Sequence, residues 1–243
     1  MTAPRVIPGT AGGILLICDH ASNAVPEGID LGVAPALLDK HIAIDIGAGP
    51  VTEALAARLG APAILATVSR LVIDLHRQPD HPGLVPHISD GHVIPGNAGD
   101  DRANRLSRFH APYHRALAAA IRETRPVLLA SIHSFTPRLE QGGEARPWEI
   151  GILSNRDRRA ADRAVALFRA AGIPTGDNEP YSGRALNATL NRHGEANGIA
   201  SLAIEIRNDL IDGHAGVARW SDILAPILES IRNSLAPRHP LAT

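Results

Sequence analysis

The sequence predicts an α/β fold in which one domain, residues 1–243, is built around a largely parallel sheet. Three apolar runs, at residues 14–18, 127–132 and 201–204, are rich in Ile, Val and Leu and have the length of buried strands. Segments with apolar residues at helical spacing alternate with these runs. Alternating strands and helices are typical of a layered α/β domain, and the sequence contains no internal repeat.

The first third of the chain is predicted to hold one helix and three strands. The strand at residues 14–18 leads into a loop rich in Asn, Pro and Gly. Pro35 stands where a helix could begin, and apolar residues recur at helical spacing over residues 37–59. A strand pair is expected next, at residues 63–67 and 71–75.

The rest of the chain alternates between irregular segments and regular elements. Residues 78–100 hold many Pro, Gly, His and Asp residues, and so long a loop in a compact domain is more often functional than accidental. Helices are predicted at residues 101–124, 157–171 and 215–235, with a helix or turn at 187–197. Strands are predicted at residues 127–132, 148–153 and 201–205, with a second irregular loop at 175–183.

The composition is that of a globular protein and excludes several classes of function. Lys plus Arg number 24 against 25 acidic residues, so the chain has no basic excess of the kind that nucleic-acid binding usually needs. Cys18 is the only cysteine, which excludes a disulfide framework and a cysteine-based zinc motif. No apolar stretch approaches the roughly 20 residues of a membrane span, and we expect a cytoplasmic protein without a signal peptide.

All three buried runs end at residues suited to metal or acid–base chemistry. The first runs into His20, the second into His133 and the third into Glu205. Because sites in open α/β sheets lie at the carboxyl ends of the strands, these side chains are expected to converge. Two neutral imidazoles are natural zinc ligands, and a structural hydrogen-bonding role is the alternative.

Glu205 lies within an apolar strand, where a charge needs a purpose or a partner. Arg207 shares its strand face by two-residue alternation and could be that partner. In the functional interpretation, Glu205 is the general base that takes a proton from a metal-activated water.

The third ligand of such a metal is open, since a catalytic zinc takes three protein ligands. Asn23 lies three residues after His20, but a neutral amide is a poor zinc ligand. Asp45 is chemically better, and it is predicted to lie one helical turn after His41 on an apolar helix. An unpaired carboxylate there would be costly, so a buried salt bridge is the alternative for Asp45.

Substrate-binding candidates lie in the polar segments near these strand ends. Arg70 and Arg77 flank the predicted strand at residues 71–75, and each guanidinium could hold a substrate carboxylate by paired hydrogen bonds. Pairing with an aspartate at the surface is the alternative. Tyr181, in the second irregular loop, could line the pocket or form a turn.

Eight segments resemble the N-formylglutamate amidohydrolase family, in order over most of the chain. They are Leu-Ile-Cys-Asp-His-Ala-Ser-Asn (16–23), His-Ile-Ala-Ile-Asp-Ile-Gly (41–47), Ser-Arg-Leu-Val-Ile-Asp (69–74), Ile-Pro-Gly-Asn (94–97), His-Ala-Pro-Tyr-His (110–114), Ser-Ile-His-Ser-Phe-Thr-Pro (131–137), Asp-Asn-Glu-Pro-Tyr-Ser (177–182) and Ile-Glu-Ile-Arg-Asn-Asp (204–209). The resemblance implies a three-layer α/β/α fold with a mixed, largely parallel sheet, similar to that of zinc-dependent exopeptidases.

The resemblance also implies roles for individual residues. By position, His20 and His133 match ligands of Zn²⁺ or another divalent metal, and Glu205 matches the catalytic base. Asn23 stands where the wider superfamily has Glu, so Asp45 is the expected third ligand. The residues expected to bind substrate are Arg70, Arg77, Tyr181, His193 and Arg207.

The expected reaction is hydrolysis of an N-acyl amino acid, with N-formyl-L-glutamate as the first substrate and formate and L-glutamate as products. His76 stands where many relatives have Asn, which is expected to alter substrate choice. One alternative is a deacylase or amidase for a different N-acyl amino acid. Another is a metal-free protein that binds a small molecule, which Asn23 motivates. We expect neither a nucleic-acid nor a membrane partner.

Overall fold

A computed structural model describes residues 3–11, 13–99 and 101–235 of the chain. Its strands are β1 (Arg5–Ile7), β2 (Ile14–Cys18), β3 (Ala63–Leu65), β4 (Ile88–Ser89), β5 (His92–Val93), β6 (Leu128–Phe135), β7 (Ile150–Leu153), β8 (Thr175–Asp177) and β9 (Ala200–Arg207). Its helices are α1 (Ala48–Leu59), α2 (Arg102–Arg105), α3 (Ala111–Thr124), α4 (Arg159–Ala170), α5 (Ala188–His193) and α6 (His214–Leu235), and a π-helical turn (Leu106–His110) joins α2 to α3.

Seven of these strands form one sheet in the order β1-β3-β2-β6-β9-β7-β8. The four strands from β3 to β9 run parallel, whereas β1 is antiparallel to β3 and β7 is antiparallel to β9. The sheet is therefore mixed and mostly parallel, as predicted. The carboxyl ends of β2, β6 and β9, which lead into the candidate site residues, lie side by side at one edge.

Side-chain alternation on the central strands divides the core into two layers. On β2, Leu16 and Cys18 face a core shared with α1, α4 and α6. Leu15 and Ile17 face the opposite core, which contains Tyr113 of α3. Burying both faces explains why these runs are continuously apolar rather than alternating. None of the described helices is both long and apolar enough to cross a membrane.

The predicted helix over residues 37–59 is wrong in its first half. Helix α1 begins only at Ala48, and the preceding residues form turns. Ile42 and Ala43 are apolar because they pack into the second core, and the backbone N–H of Asp45 donates to the carbonyl of His20 at 3.1 Å. Contacts with other parts of the chain thus replace helical hydrogen bonds there, and Asp45 does not lie on a helix.

The second member of the predicted strand pair, residues 71–75, is also wrong. Strand β3 pairs with β2, but the chain then leaves the sheet, and Ser69 donates its hydroxyl to the carbonyl of Ala43 at 2.8 Å. Leu71 and Ile73 are buried without belonging to a strand. Their apolar character reflects burial in the second core, which periodicity could not separate from strand structure.

The other helices agree with the sequence. Those predicted at residues 101–124, 157–171 and 215–235 are present, with ends shifted by no more than two residues. The loop predicted at residues 175–183 begins with the short edge strand β8.

Candidate active site

A cavity of about 340 Å³ opens at the edge where β2, β6 and β9 end. Seven of the predicted site residues line it: His20, Asp45, Arg70, Arg77, His133, Tyr181 and Glu205. They come from strand ends and from the irregular segments that follow β2, β3 and β8. The convergence expected from the strand ends is therefore present in the structure.

Two imidazoles and one carboxylate meet at the floor of this cavity. Oδ2 of Asp45 lies 3.1 Å from Nδ1 of His20 and 2.9 Å from Nδ1 of His133. One donor atom from each residue falls within 4.8 Å of the other two, and all three side chains are buried. Two nitrogens and one carboxylate oxygen form the kind of donor set that zinc takes in hydrolytic sites.

Outer hydrogen bonds fix which nitrogen of each ring faces Asp45. Nε2 of His20 lies 2.7 Å from Oδ1 of Asp74, and Nε2 of His133 lies 2.9 Å from Oγ of Ser131. A carboxylate can only accept, so Nε2 of His20 donates to Asp74, and Nδ1 is the nitrogen that faces the cluster. Metal-binding histidines commonly donate their second N–H to a carboxylate in this way.

The electrostatics of the floor favour a cation. Burial alone would raise the pKa of the Asp45 carboxyl, but His20, His133 and Arg70 hold it well below its usual range. Burial would lower the pKa of His133, yet its hydrogen bonds to Asp19 and Asp45 raise it well above the ordinary value. A pocket that draws a proton onto buried imidazoles is one that stabilises positive charge, so these residues fit a divalent metal.

Glu205 lies next to this cluster and has an oxygen without a partner. It stands opposite His133 in the β6–β9 register and is 8% exposed. Its Oε2 is buried and has no hydrogen-bond partner among the described residues. Burial raises the pKa of Glu205 to about 7, with His133 opposing the rise and Asp45 reinforcing it. A carboxyl group with such a pKa can both take and return a proton near neutral pH.

The two cavity arginines differ in how fully they are already paired. Arg70 donates to Asp45 and to Asp74, each at 3.0 Å. Arg77 has a looser contact, with Nε 3.6 Å from Oδ2 of Asp74. The guanidinium of Arg77 therefore keeps donors available for a ligand.

Part of the cavity lining is apolar. Ile42, Phe135 and Leu153 are buried, and Leu139 is 37% exposed. Leu186 is a further apolar lining residue. A bound molecule would meet both charged groups and hydrocarbon in this cavity.

The structure corrects three predicted placements. The side-chain amide of Asn23 donates to Asp39 at 3.0 Å, away from the His20 cluster. Arg207 pairs with Asp209 at 2.8 Å rather than with Glu205, because the chain turns away from the sheet directly after β9. Neither residue is part of the cavity lining.

His193, the third misplaced residue, lies outside the cavity lining. Its Nε2 is 2.9 Å from Nδ1 of His114. Leu190 of the same short helix α5 packs into the second core, and the sequence contained no signal for the orientation of this helix.

Sequence reasoning did not place three residues that surround the cluster, although it linked His76 to substrate choice. Asp74 orients His20, as described above, and His76 lines the cavity with Nδ1 3.0 Å from Oδ2 of Asp19. Asp19, His76 and His133 form a second buried group whose donor atoms lie within 4.8 Å of one another. The available signal was adjacency: Asp19 directly precedes His20, and Asp74 lies two residues before His76.

The chain is similar to a known family and to solved structures. The sequence model of the N-formylglutamate amidohydrolase family matches residues 12–212. The crystal structure of gene product Atu2144 from Agrobacterium tumefaciens is 33% identical, with a TM-score of 0.91 over 97% of this chain and 96% of that one. The N-formylglutamate amidohydrolase from Ralstonia eutropha JMP134 is 21% identical and shares the fold, with a TM-score of 0.72 over 97% and 98% of the two chains. No curated protein sequence matches the chain.

Proposed function

The chain belongs to the N-formylglutamate amidohydrolase family, and on that premise we propose that it is a metal-dependent hydrolase of N-acyl amino acids. One observation carries the proposal. Glu205, a buried carboxyl group with an unpartnered oxygen, lies beside a floor formed by His20, Asp45 and His133. A general base next to a cation-binding floor is the arrangement that amide hydrolysis by water requires.

His20, Asp45 and His133 would hold the metal, which is Zn²⁺ in the first instance. When bound, the ion supplies a Lewis acid for the carbonyl and acidifies water. Glu205 would take the proton of the attacking water on Oε2 and deliver it to the leaving nitrogen. Burial raises the pKa of Glu205, which favours its taking and returning a proton near neutral pH.

The substrate proposal rests on Arg77 and on the apolar residues of the cavity lining. Arg77 has donors available for the carboxylate of an N-acyl amino acid. N-formyl-L-glutamate is the first candidate, and formate and L-glutamate would be its products. The apolar lining residues favour a second candidate, an N-acyl amino acid with a larger apolar acyl group or side chain. These residues include Ile42, Phe135 and Leu153.

A paired measurement tests the proposal. Protein purified without chelators is analysed for metal, and is then assayed with N-formyl, N-acetyl and N-succinyl derivatives of glutamate and leucine. We expect about one metal ion per chain and hydrolysis that stops when the metal is removed. Hydrolysis of the leucine derivatives in preference to the glutamate ones would select the second candidate. Absence of both bound metal and metal-stimulated hydrolysis would contradict the proposal and favour a binding protein.

A further inference from the structure

An irregular segment at residues 71–77 carries three polar side chains of the candidate site. Asp74 accepts a hydrogen bond from His20, and His76 and Arg77 line the cavity. The segment lies outside the sheet, so no strand partner holds its backbone. Its geometry must therefore be set by other contacts.

Two histidines from one helical run hold the carbonyl groups on either side of His76. Nε2 of His114 lies 3.1 Å from the carbonyl oxygen of Leu75, and Nε2 of His110 lies 3.1 Å from that of Arg77. Because a carbonyl can only accept, both Nε2 atoms carry hydrogen. The two imidazoles are neighbours, with ring centroids 4.1 Å apart.

His193 fixes the tautomer of His114 from the far side. Its Nε2 lies 2.9 Å from Nδ1 of His114, and the two rings are nearly coplanar, with 11° between their planes and centroids 5.2 Å apart. Since Nε2 of His114 carries the hydrogen, Nδ1 accepts and His193 donates. Burial lowers the pKa of His114 to about 3 and that of His193 to about 4, so both rings are neutral at pH 7.

The π-helical turn explains how one helical run reaches the segment at several points. Arg105 donates from Nη1 to the carbonyl of Val72 at 2.8 Å, and His110 follows five residues later. In an α-helix, residues five apart point roughly 140° away from each other. The π turn, Leu106–His110, widens the helix so that both side chains reach the same segment, and such turns often occur near functional sites.

We propose that His110 and His114, supported by His193, are positioning residues for the reaction. Their N–H groups fix the backbone at Leu75 and Arg77, and thereby the directions of the site side chains between and beside those carbonyls. They act through the 71–77 segment and do not themselves line the cavity. The inference rests on the proposed function for its metal-binding measurement, but its backbone measurement stands apart from that function.

Matched substitutions separate the lost hydrogen bond from a general loss of stability. His114→Leu and His110→Leu remove the donor, whereas His114→Gln and His110→Gln supply an amide N–H in place of Nε2. Leu117→Ala is the control, because Leu117 is fully buried on the same helix and packs in the second core. Each variant is measured for Tm, for backbone amide hydrogen exchange over residues 71–84, and for Co²⁺ affinity.

In both Leu variants we expect exchange over residues 71–84 to accelerate by about tenfold or more beyond the rest of the chain. The Kd for Co²⁺ should rise by about 10- to 100-fold, the usual effect of losing outer support of a metal site. The Gln variants should restore both values toward wild type, and Leu117→Ala should lower Tm without either local effect.

The inference is overturned if the Leu variants leave exchange and Co²⁺ affinity unchanged. It is also overturned if Leu117→Ala produces the same local changes at an equal loss of Tm. If the wild-type protein binds no Co²⁺, the proposed metal site fails, and hydrogen exchange alone decides whether the histidines position the segment.

Discussion

At the scale of single residues, the hydrogen bonds of each imidazole determine which of its nitrogens faces Asp45. Nε2 of His20 donates to Asp74, and Nδ1 of His20 faces Oδ2 of Asp45. Nδ1 of His133 faces the same oxygen of Asp45. Two lone pairs and a carboxylate cannot share so small a space without a cation, either protons or a metal. The raised pKa of His133 shows how protons meet that need when no metal is bound.

Glu205 is the residue whose replacement tests the chemistry most directly. Glu205→Gln keeps the shape of the side chain but cannot take a proton, so kcat should fall by about 10²- to 10⁴-fold. Metal content should not change, because Glu205 is not one of the three residues of the floor. Steady-state kinetics and elemental analysis of the same preparation give both values.

The matched control for this prediction is Glu53→Gln. Glu53 pairs with Arg5 at the surface, with its side chain 42% exposed, and its removal should leave kcat unaltered. Near-normal turnover by Glu205→Gln, with metal present, would show that another group is the base.

The sequence identified the residues at the ends of buried strands, but it identified only some of those on the irregular segments. His20, His133 and Glu205 were visible because strand ends converge in a parallel sheet, which is a local signal with a global consequence. The positions of Asp74 and His76 were not visible, because they reach the cavity through a segment that lies outside the sheet and is held by hydrogen bonds such as those from Arg105 and His114. Such contacts join residues far apart in sequence and leave no periodicity.

At the scale of elements, buried apolar turns were mistaken for regular structure. Residues 38–47 resembled the start of a helix because their apolar side chains are buried, and residues 71–75 resembled a strand for the same reason. Burial sets the composition of a segment, whereas its backbone is set by hydrogen bonds with distant groups. The central strands were predicted well because burial on both faces and ladder hydrogen bonds favour the same structure.

Gly47 marks the junction between the buried turns and helix α1, and it should tolerate no side chain. Its φ is 79°, and an added Cβ would collide with the backbone oxygen of Ile211. Gly47→Ala should lower the free energy of unfolding by more than about 2 kcal/mol, since left-handed strain of about 1 kcal/mol adds to the clash. Urea unfolding gives the value.

Gly172→Ala isolates the strain from the clash. Gly172 has a similar φ of 74°, but an added Cβ would meet nothing within 4 Å. Its substitution should therefore cost only the strain, about 1 kcal/mol. An equal loss in the two variants would mean that contact with Ile211 does not constrain this end of α1.

At the scale of the whole molecule, buried neutral histidines should set the acid limit of folding. His193 has a pKa of about 4 in the folded protein, lowered first by burial and then by Arg192, against about 6.5 when unfolded. Below pH 6.5 the unfolded chain gains a proton that the folded protein resists. The stability that neutral His193 contributes is thus present above pH 6.5 and is lost as pH falls toward 4.

The two pKa values of His193 determine how much stability is lost as the pH falls. For one histidine with these two pKa values, the free energy of unfolding should fall by about 2 kcal/mol between pH 7 and pH 5. His193→Gln removes the titration and keeps a polar side chain, so its unfolding free energy should fall by about 2 kcal/mol less than that of wild type over the same interval. Titrating groups that do not contact His193 are common to both proteins and cancel in the difference.

Leu190→Val supplies the control for that comparison, because Leu190 is buried on the same short helix and does not titrate. It should lower stability equally at pH 7 and pH 5, whereas His193→Gln should change the slope with pH. Parallel stability curves for wild type and His193→Gln would assign the acid limit to other groups. If the free energy of unfolding depends less on pH in His193→Gln alone, a histidine that supports the 71–77 segment also limits the pH range in which the protein stays folded.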